Sequence, residues 1–575
     1  MMKKLLLLPL SLLVMLPAVS LYSQEKANNY PEDLFETCGE VYFTFDIGFP
    51  RELEILTRII SIDNVRGNQV FAYANQKEFQ KFLDLGYTYS ILPHPGSLLD
   101  EEQLRPPGSG KSLLNTWDFY PTYEEYLGFM DDFATSYPDI CKVVDIGLSV
   151  QGRELIAVKI SDNVNEPEAE PEFFYTSTMH GNEITGYVLM LHLIDYLLSN
   201  YGIDPRITDI VDNTEIYINP LANPDGTYWG GNHTVYLARR YNANGVDLNR
   251  NFPDPEDGLH PDGNPWQPET IAFMTLADSN HFVMGANFHG GAEVFNYPWD
   301  TWATLAADDT WWQFVGHEYV DTVHLHSPPG YFSGFNNGIT NGFQWYTISG
   351  GRQDYMNYWH SDREVTLEIS DVKTPPANQL LNFWEYNYRS LLNYIEQVNY
   401  GVQGIVTDSV TGEPVLAQIY IPGHDTDNSE IHSKLPSGYY SRLLYEGSYD
   451  LRFSASGYFP KMVYDVTVTN RATTHLDVEL VPLNVAQNEP RHQRVTMVYP
   501  NPSDGQIELI LPETGITNAE VECYGMNGKR LFFRHLNVPP GFNSIHLDMG
   551  NLAPGLYLIR LSTGKSSYTD RIMIR

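Results

Sequence analysis

The chain has 575 residues, of which 42% are hydrophobic, 13% aromatic and 19% charged. That composition belongs to a folded protein without disordered low-complexity blocks, and at roughly 150 residues per domain the length implies three to five domains rather than one core. Asp and Glu number 72 against 35 Lys and Arg, a formal net charge of −37, which argues against a nucleic-acid partner because phosphate backbones are bound by clustered cations. In chain order, the basic start "MMKK" is followed by the apolar run "LLLLPLSLLVMLPAV" and by the small residues of "SLYSQEK", the pattern of a signal peptide over 1–23. The other reading, a membrane anchor, fits less well: Pro9 and Pro17 break a run already short for a span, and no Cys follows it to take a lipid. No later segment is apolar enough to cross a bilayer. The expectation is an exported protein. Its three cysteines, Cys38, Cys141 and Cys523, are far apart and odd in number. They build no disulfide framework, and they leave any metal to His and carboxylates.

Residues 25–103 read as a small αβ unit, with "EVYFTFDIGF" as a clear strand, and 104–113 read as a linker rich in Pro and Gly. From 114 to 398, helical and buried-strand patterns alternate, predicting an α/β domain with a mixed, mostly parallel sheet flanked by helices. Residues 400–483 and 493–575 show short β-branched runs between Gly, Asn and Pro turns, two C-terminal β-sandwich units.

Within the α/β stretch the apolar run "PEFFYTST" ends just before His180 and Glu183. About two His-x-x-carboxylate pairs are expected by chance in a chain of this composition, so the pair alone is equally a solvated turn. Its place at the carboxyl end of a strand is where open α/β sheets bind ligands. A second apolar strand, "FVMGANFHGG", ends in His289, 106 residues after Glu183. Two imidazoles and one carboxylate make a three-donor set that leaves a coordination position open on a catalytic zinc. A third run, "DREVTLEISDV", carries Glu368 among apolar neighbours, where a carboxylate is costly without a partner or a purpose.

These blocks resemble the zinc carboxypeptidase family. "HGNE" and "NFHGG" are similar to its metal-binding sequences, "EVTLEIS" to the strand of its catalytic Glu, and "RRYNANGVDLNRNFPD" and "TNGFQWYTISGGRQDYMNYW" to two further signatures. Agreement runs from about residue 121 to 398, and "DLNRNFP" is closer to the branch of carboxypeptidases N, E, M and D than to the pancreatic one. The resemblance implies one Zn²⁺ held by His180, Glu183 and His289, with Glu368 as general base toward a zinc-activated water. It implies Arg240 over the scissile carbonyl, Asn249 and Arg250 on the terminal carboxylate of a peptide, and Tyr346 closing over the bound residue. Asp300 and Gln353 resemble the pair that receives a Lys or Arg side chain. The substrates implied are peptide or protein C-termini, with a preference for Lys and Arg.

Residues 400–483 resemble the transthyretin-like domain of the same branch, with a structural role. Residues 493–575 resemble the C-terminal sorting domain of type IX secretion cargo, implying a gram-negative product exported via the periplasm, with the secretion machinery as partner, then released or held at the cell surface. The 25–103 unit is not usual in this branch. It is either an inhibitory pro-segment, removable where a trypsin-like protease reaches Arg105 or Lys111 in "RPPGSGK", or a fixed accessory domain. Two other functional readings remain: an amidase of the same fold acting on cell-wall peptides, and a catalytically silent surface binding protein. The presence of Asn249, Arg250 and Asp300 speaks against the first, and the intact set His180, Glu183, His289 and Glu368 against the second.

Overall fold

The computed structural model describes residues 31–109, 116–483, 498–511, 518–525, 529–538, 544–550, 552–563 and 567–575. The expected signal peptide lies outside them, as does the end of the expected linker, residues 110–113 with Lys111.

Near the N-terminus, β1 (Val41–Asp46), β2 (Ser61–Arg66), β3 (Gln69–Ala74) and β4 (Tyr89–Ile91) form an antiparallel sheet in the order β2-β3-β1-β4. Strict alternation in β1 turns Val41, Phe43 and Phe45 inward, onto Phe79 and Phe82 of the helix Gln76–Asp84. That helix starts at a capping box, in which the Asn75 side chain accepts from Glu78 N–H and the Glu78 carboxylate returns the bond. The small core does not close on itself: Tyr346 and Ile348, almost three hundred residues later, complete it.

The central sheet has eight strands: β5 (Cys141–Leu148), β6 (Glu154–Ile160), β7 (Glu172–Ser177), β8 (Glu215–Asn219), β9 (Phe282–His289), β10 (Ala292–Tyr297), β11 (Ile339–Asn341) and β12 (Arg363–Ser370). Their order is β11-β10-β12-β9-β7-β8-β6-β5. The inner strands β12, β9, β7 and β8 are parallel, while β5, β6 and the β10·β12 pair run antiparallel, the mixed α/β sheet that the alternating pattern predicts. Every residue of β7 and β9 is buried, because helices such as Thr185–Asn200, Pro268–Ser279 and Leu380–Glu396 cover the sheet. Parallel strands buried on both faces read as continuous apolar runs, as these do.

Two units of β-sheet follow. Residues 401–480 form two four-stranded sheets packed on Val402, Val406, Leu451 and Phe453, and residues 498–574 form a three- and a four-stranded sheet over a separate apolar core. The first is tied to the central unit by Arg442, wholly buried between Asp308 at 2.9 Å and Asp425 at 2.6 Å, with Arg363 also on Asp308 at 2.7 Å. Removing one member of such a buried network typically costs about 3–5 kcal/mol. Among the described residues no helix is long and apolar enough to cross a membrane.

Candidate metal centre

The parallel register fixes the site. Glu368 of β12 pairs with His289 of β9, and β7, on the other side of β9, runs out into the turn that carries His180 and Glu183. The turn is tight: a Cβ on Gly181 would lie 2.4 Å from the carbonyl carbon of Gly226, so no other residue fits there. His180 Nδ1 lies 3.0 Å and His289 Nδ1 2.8 Å from Glu183 Oε2, and the two Nδ1 atoms are 3.0 Å apart. All three side chains are buried.

Each donor is oriented by a second partner. His180 Nε2 meets Asp247 Oδ1 at 2.9 Å, so the proton sits on Nε2 and the Nδ1 lone pair faces the cluster. His289 Nε2 is 2.9 Å from Asn287 Nδ2, while Asn287 Oδ1 is buried without a partner; turning the amide over gives that oxygen the ring N–H at Nε2 and leaves the His289 Nδ1 lone pair facing the cluster. Burial pushes His289 down to about 4, which keeps its imidazole neutral. Glu183 gives its other oxygen, Oε1, to Lys373 Nζ at 2.7 Å and Arg240 Nη1 at 3.1 Å. Burial opposes its charge, but His180 and Lys373 hold it well below the usual carboxylate range.

Three lone-pair atoms with no proton among them repel one another unless a cation lies between them. Tetrahedral Zn–N bonds of about 2.0–2.1 Å place donors about 3.3 Å apart, so these three fit after opening by a few tenths of an ångström. With two imidazoles, one carboxylate and no thiol, this is the donor set of a single catalytic Zn²⁺.

The other expected residues gather around this cluster. Arg240 comes from the irregular segment before the short helical turn Leu248–Arg250, which holds Asn249 and Arg250. Tyr346 follows the helix Gly342–Trp345. Together with Glu368 and the three donors they line one cavity of about 20 Å³, room for one or two waters and no more. Glu368 Oε2 is buried there without a hydrogen-bond partner. Burial first, and then the charge of Glu183, push its carboxyl well above the usual range.

The cavity is small because β2 lies across its mouth, an arrangement no local pattern announces. Arg250 Nη2 donates to the Ile62 carbonyl at 3.1 Å, and the Tyr346 hydroxyl reaches the same oxygen at 3.5 Å. Ser61 Oγ donates to Asp247 and accepts from Arg240 Nε at 2.7 Å. Asp63 Oδ1 lies 2.6 Å from Lys373 Nζ and 3.4 Å from Arg240 Nη1. Further in from the strand, Glu40 accepts the backbone N–H groups of Arg240 and Tyr241 at 2.8 and 3.0 Å.

Asp300 and Gln353, both almost fully buried, lie against Asn296 and Thr366 of the cavity wall. Asp300 Oδ1 accepts from Asn296 Nδ2 and Gln353 Nε2, each at 3.1 Å. Gln353 is fixed in turn by accepting Thr366 N–H at 2.8 Å. A Cβ on Gly342 would lie 1.7 Å from Asp300 Oδ1, so glycine there makes room for the carboxylate. Burial raises Asp300 to about 6. The backbone at Asp300 is held by Asp354, which accepts the N–H groups of Asp300 and Thr301.

Asp247, Asn287, Lys373 and Asp63 were not foreseen. Asp247 had a signal, an acid two residues before Asn249 in "DLNRN", placed as carboxylates that orient metal-binding imidazoles often are. Arg105 is half-buried and held by Glu125 at 2.6 and 2.7 Å.

Residues 126–390 match the family model described as zinc carboxypeptidase, and residues 497–575 the one described as a secretion system C-terminal sorting domain. The chain is 39% identical over 382 residues to carboxypeptidase D of Homo sapiens, covering 63% of this chain and 27% of that protein. It is 35% identical over 433 residues to the carboxypeptidase N catalytic chain of Homo sapiens, covering 67% of this chain and 92% of that one. Among solved structures, carboxypeptidase A from Helicoverpa armigera matches with a TM-score of 0.49 at 19% identity, over 62% of this chain and 96% of that one. The chain spans less than a third of the length of the carboxypeptidase D relatives it matches.

Proposed function

We propose that this chain, which belongs to the zinc carboxypeptidase family in the branch of carboxypeptidases D, M and N, removes the last residue of peptides and proteins, preferring Lys and Arg. The observation that carries this reading is one cavity with a His2Glu donor set on one wall and Asn249 and Arg250 on the other. An internal peptide bond has no carboxylate for that second wall, so recognition there restricts the enzyme to chain ends.

His180, Glu183 and His289 would hold a Zn²⁺ ion, which would supply a Lewis acid and lower the pKa of a water toward neutrality. Glu368 takes a proton from the attacking water as its oxygen bonds to the carbonyl carbon. It delivers that proton to the amine as the C–N bond breaks. Arg240, whose Nη1 lies among the donors, stabilises the charge that gathers on the carbonyl oxygen. Arg250 holds the substrate carboxylate with Asn249, and Tyr346 closes over the bound residue. Asp300, steadied by Asn296 and Gln353, receives the cationic side chain.

The test is hydrolysis of matched peptides ending in Arg, Lys, Leu or Glu, with and without chelator, by the intact chain and by the chain cut in 110–115. Release of Arg and Lys well ahead of Leu and Glu, abolished by chelation, is expected. No release from any of the four by either form would overturn the reading.

The sorting domain places the protein outside the cell or on the outer surface of a gram-negative bacterium. The basic and apolar residues 1–23 support passage through the periplasm on the way.

Residues 25–103 act, in this reading, as an inhibitory segment. The Ile62 carbonyl occupies the carboxylate recess at Arg250, and Asp63 engages Arg240, so a substrate must displace several charge-assisted hydrogen bonds to enter. Cutting at Lys111 and separating the two parts is expected to raise kcat/KM by about tenfold or more. Equal activity before and after would show the unit to be a fixed accessory domain. Arg105, held by Glu125, is expected to stay uncut, which N-terminal sequencing of the product checks.

A further inference from the structure

A second cavity, of about 130 Å³, lies where the covering unit meets the catalytic one. Ser61, Lys77 and Lys81 reach it from the first, and Arg250, Asp262 and Asn264 from the second. Arg250 stands between this space and the catalytic cavity and lines both. At roughly 30 Å³ per water, the space takes about four waters, or one small oxyanion with part of its hydration shell.

The cations around it are short of partners. Arg250, only 5% exposed, donates from Nη1 to the Asn249 carbonyl at 2.8 Å and from Nη2 to the Ile62 carbonyl at 3.1 Å, while its Nε has no partner. Both acceptors are neutral, and among the described residues Arg250 makes no ion pair. A buried charge is costly without a counter-charge. Lys77 and Lys81 stand four residues apart on the helix Gln76–Asp84, hence on one face, where like charges repel. Among the described residues neither lysine side chain has a hydrogen-bond or ion-pair partner.

The acids of the same wall are already engaged. Asp247 meets His180 at 2.9 Å and Arg240 at 3.0 Å. Asp262 accepts from the Asn251 side chain and from both the backbone and the side chain of Asn264. Glu78 accepts the Asn75 N–H at 3.1 Å and the Tyr241 hydroxyl at 2.8 Å. The fourth cation of the wall, Arg58, is paired with Asp257 at 2.8 Å. What remains in a chain of net charge −37 is a local excess of positive charge, from Arg250, Lys77 and Lys81.

We propose that this cavity binds a small polyvalent oxyanion of the phosphate or sulfate class, held by Arg250 of the catalytic unit and by Lys77 and Lys81 of the covering unit. The two sides of the site belong to different units, so the closed form offers all of it and the open form only part. A ligand that binds one state better draws the population toward that state. The anion therefore acts as a clasp on the covering unit. The proposal rests on the inhibitory reading of residues 25–103 and adds a regulator to it.

The experiment titrates inorganic phosphate, sulfate and chloride, at matched ionic strength, into the intact full chain in a calorimeter. One oxyanion per chain is expected, the tighter of the two naming the source, with chloride far weaker. The double variant Lys77→Gln/Lys81→Gln and the single variant Arg250→Gln are each expected to weaken binding about tenfold or more. On the chain cut in 110–115, phosphate at about nine times its Kd is expected to lower the dissociation constant of the two parts about tenfold. Absence of saturable binding by either oxyanion, or equal binding by wild type and the lysine double variant, would overturn the site. Binding that leaves the dissociation constant of the parts unchanged would overturn the clasp. If Arg250→Gln does not fold, the lysine pair on the covering unit still decides. Hydrolysis of an Arg-ending peptide by the cut chain, in buffer free of both oxyanions, reports the carboxypeptidase reading separately, and its absence alongside intact phosphate binding would count against that reading alone.

Discussion

Glu368→Gln is expected to keep one zinc per chain and to lose about two to four orders of magnitude in kcat, the range that a positioned general base supplies. Glu368 is not one of the three converging donors. It stands opposite His289 in the β12·β9 register, so the amide, nearly identical in shape, leaves the donor atoms where they are. What it cannot do is accept a proton. Burial and Glu183 push the carboxyl of Glu368 well above the usual range, and a bound dication draws it back down. The opposition is what brings a carboxylate toward the basicity needed near neutral pH. KM is expected to change little, because the proposed reading gives the substrate carboxylate to Arg250 and Asn249 rather than to Glu368. Single-turnover rates with matched zinc content check this. Wild-type-like turnover in the variant would remove Glu368 as the base.

Asp300→Ala is expected to lower kcat/KM for C-terminal Arg by about two to three orders of magnitude and for C-terminal Leu by only a few-fold. Removing one partner of a buried charge pair costs about 2–5 kcal/mol, and here the stranded partner is the substrate guanidinium. A Leu side chain loses no such partner. Equal losses on both substrates would end the claim of basic specificity. The same residue sets a pH signature. Burial raises Asp300 to about 6, and only its anion binds a cationic side chain. Preference for Arg over Leu therefore rises with pH up to about 6 and levels off above it, since kcat/KM reports ionisation of the free enzyme. In Asp300→Ala that dependence is expected to vanish from the Arg-to-Leu ratio.

How much of this was legible from the chain depends on where each contact comes from. β7 and β9 announce themselves as unbroken apolar runs because both faces of the sheet are covered, and His180, Glu183 and His289 stand at their ends. Their convergence needs only the parallel pairing of the two strands. Glu368 was visible for the same reason, as an acid in an apolar strand. Asp247 was within reach, since an imidazole that gives one nitrogen to a metal needs a partner for the other. Lys373 was not. It lies past the end of β12 in "SDVKTPP", where a lysine reads as a solvated loop residue until the fold turns it inward onto Glu183. The position of β2 was hidden for a further reason. Ser61, Ile62 and Asp63 alternate like any edge strand, and their partners Asp247, Arg250 and Lys373 lie some 190 to 310 residues away, so no local period encodes the contact. Arg105 shows the converse: the Pro and Gly that follow it read as an open segment, but Glu125 on a later helix pairs with its guanidinium.

The central claim is that His180, Glu183 and His289 hold a single zinc ion. The most direct test is metal analysis of the purified full chain combined with X-ray absorption at the zinc edge. The account predicts one zinc per chain, with nitrogen and oxygen neighbours at about 2.0–2.2 Å and no sulfur, and loss of that ion in His289→Ala. Zinc bound through sulfur, or retained at one per chain in His289→Ala, would contradict it.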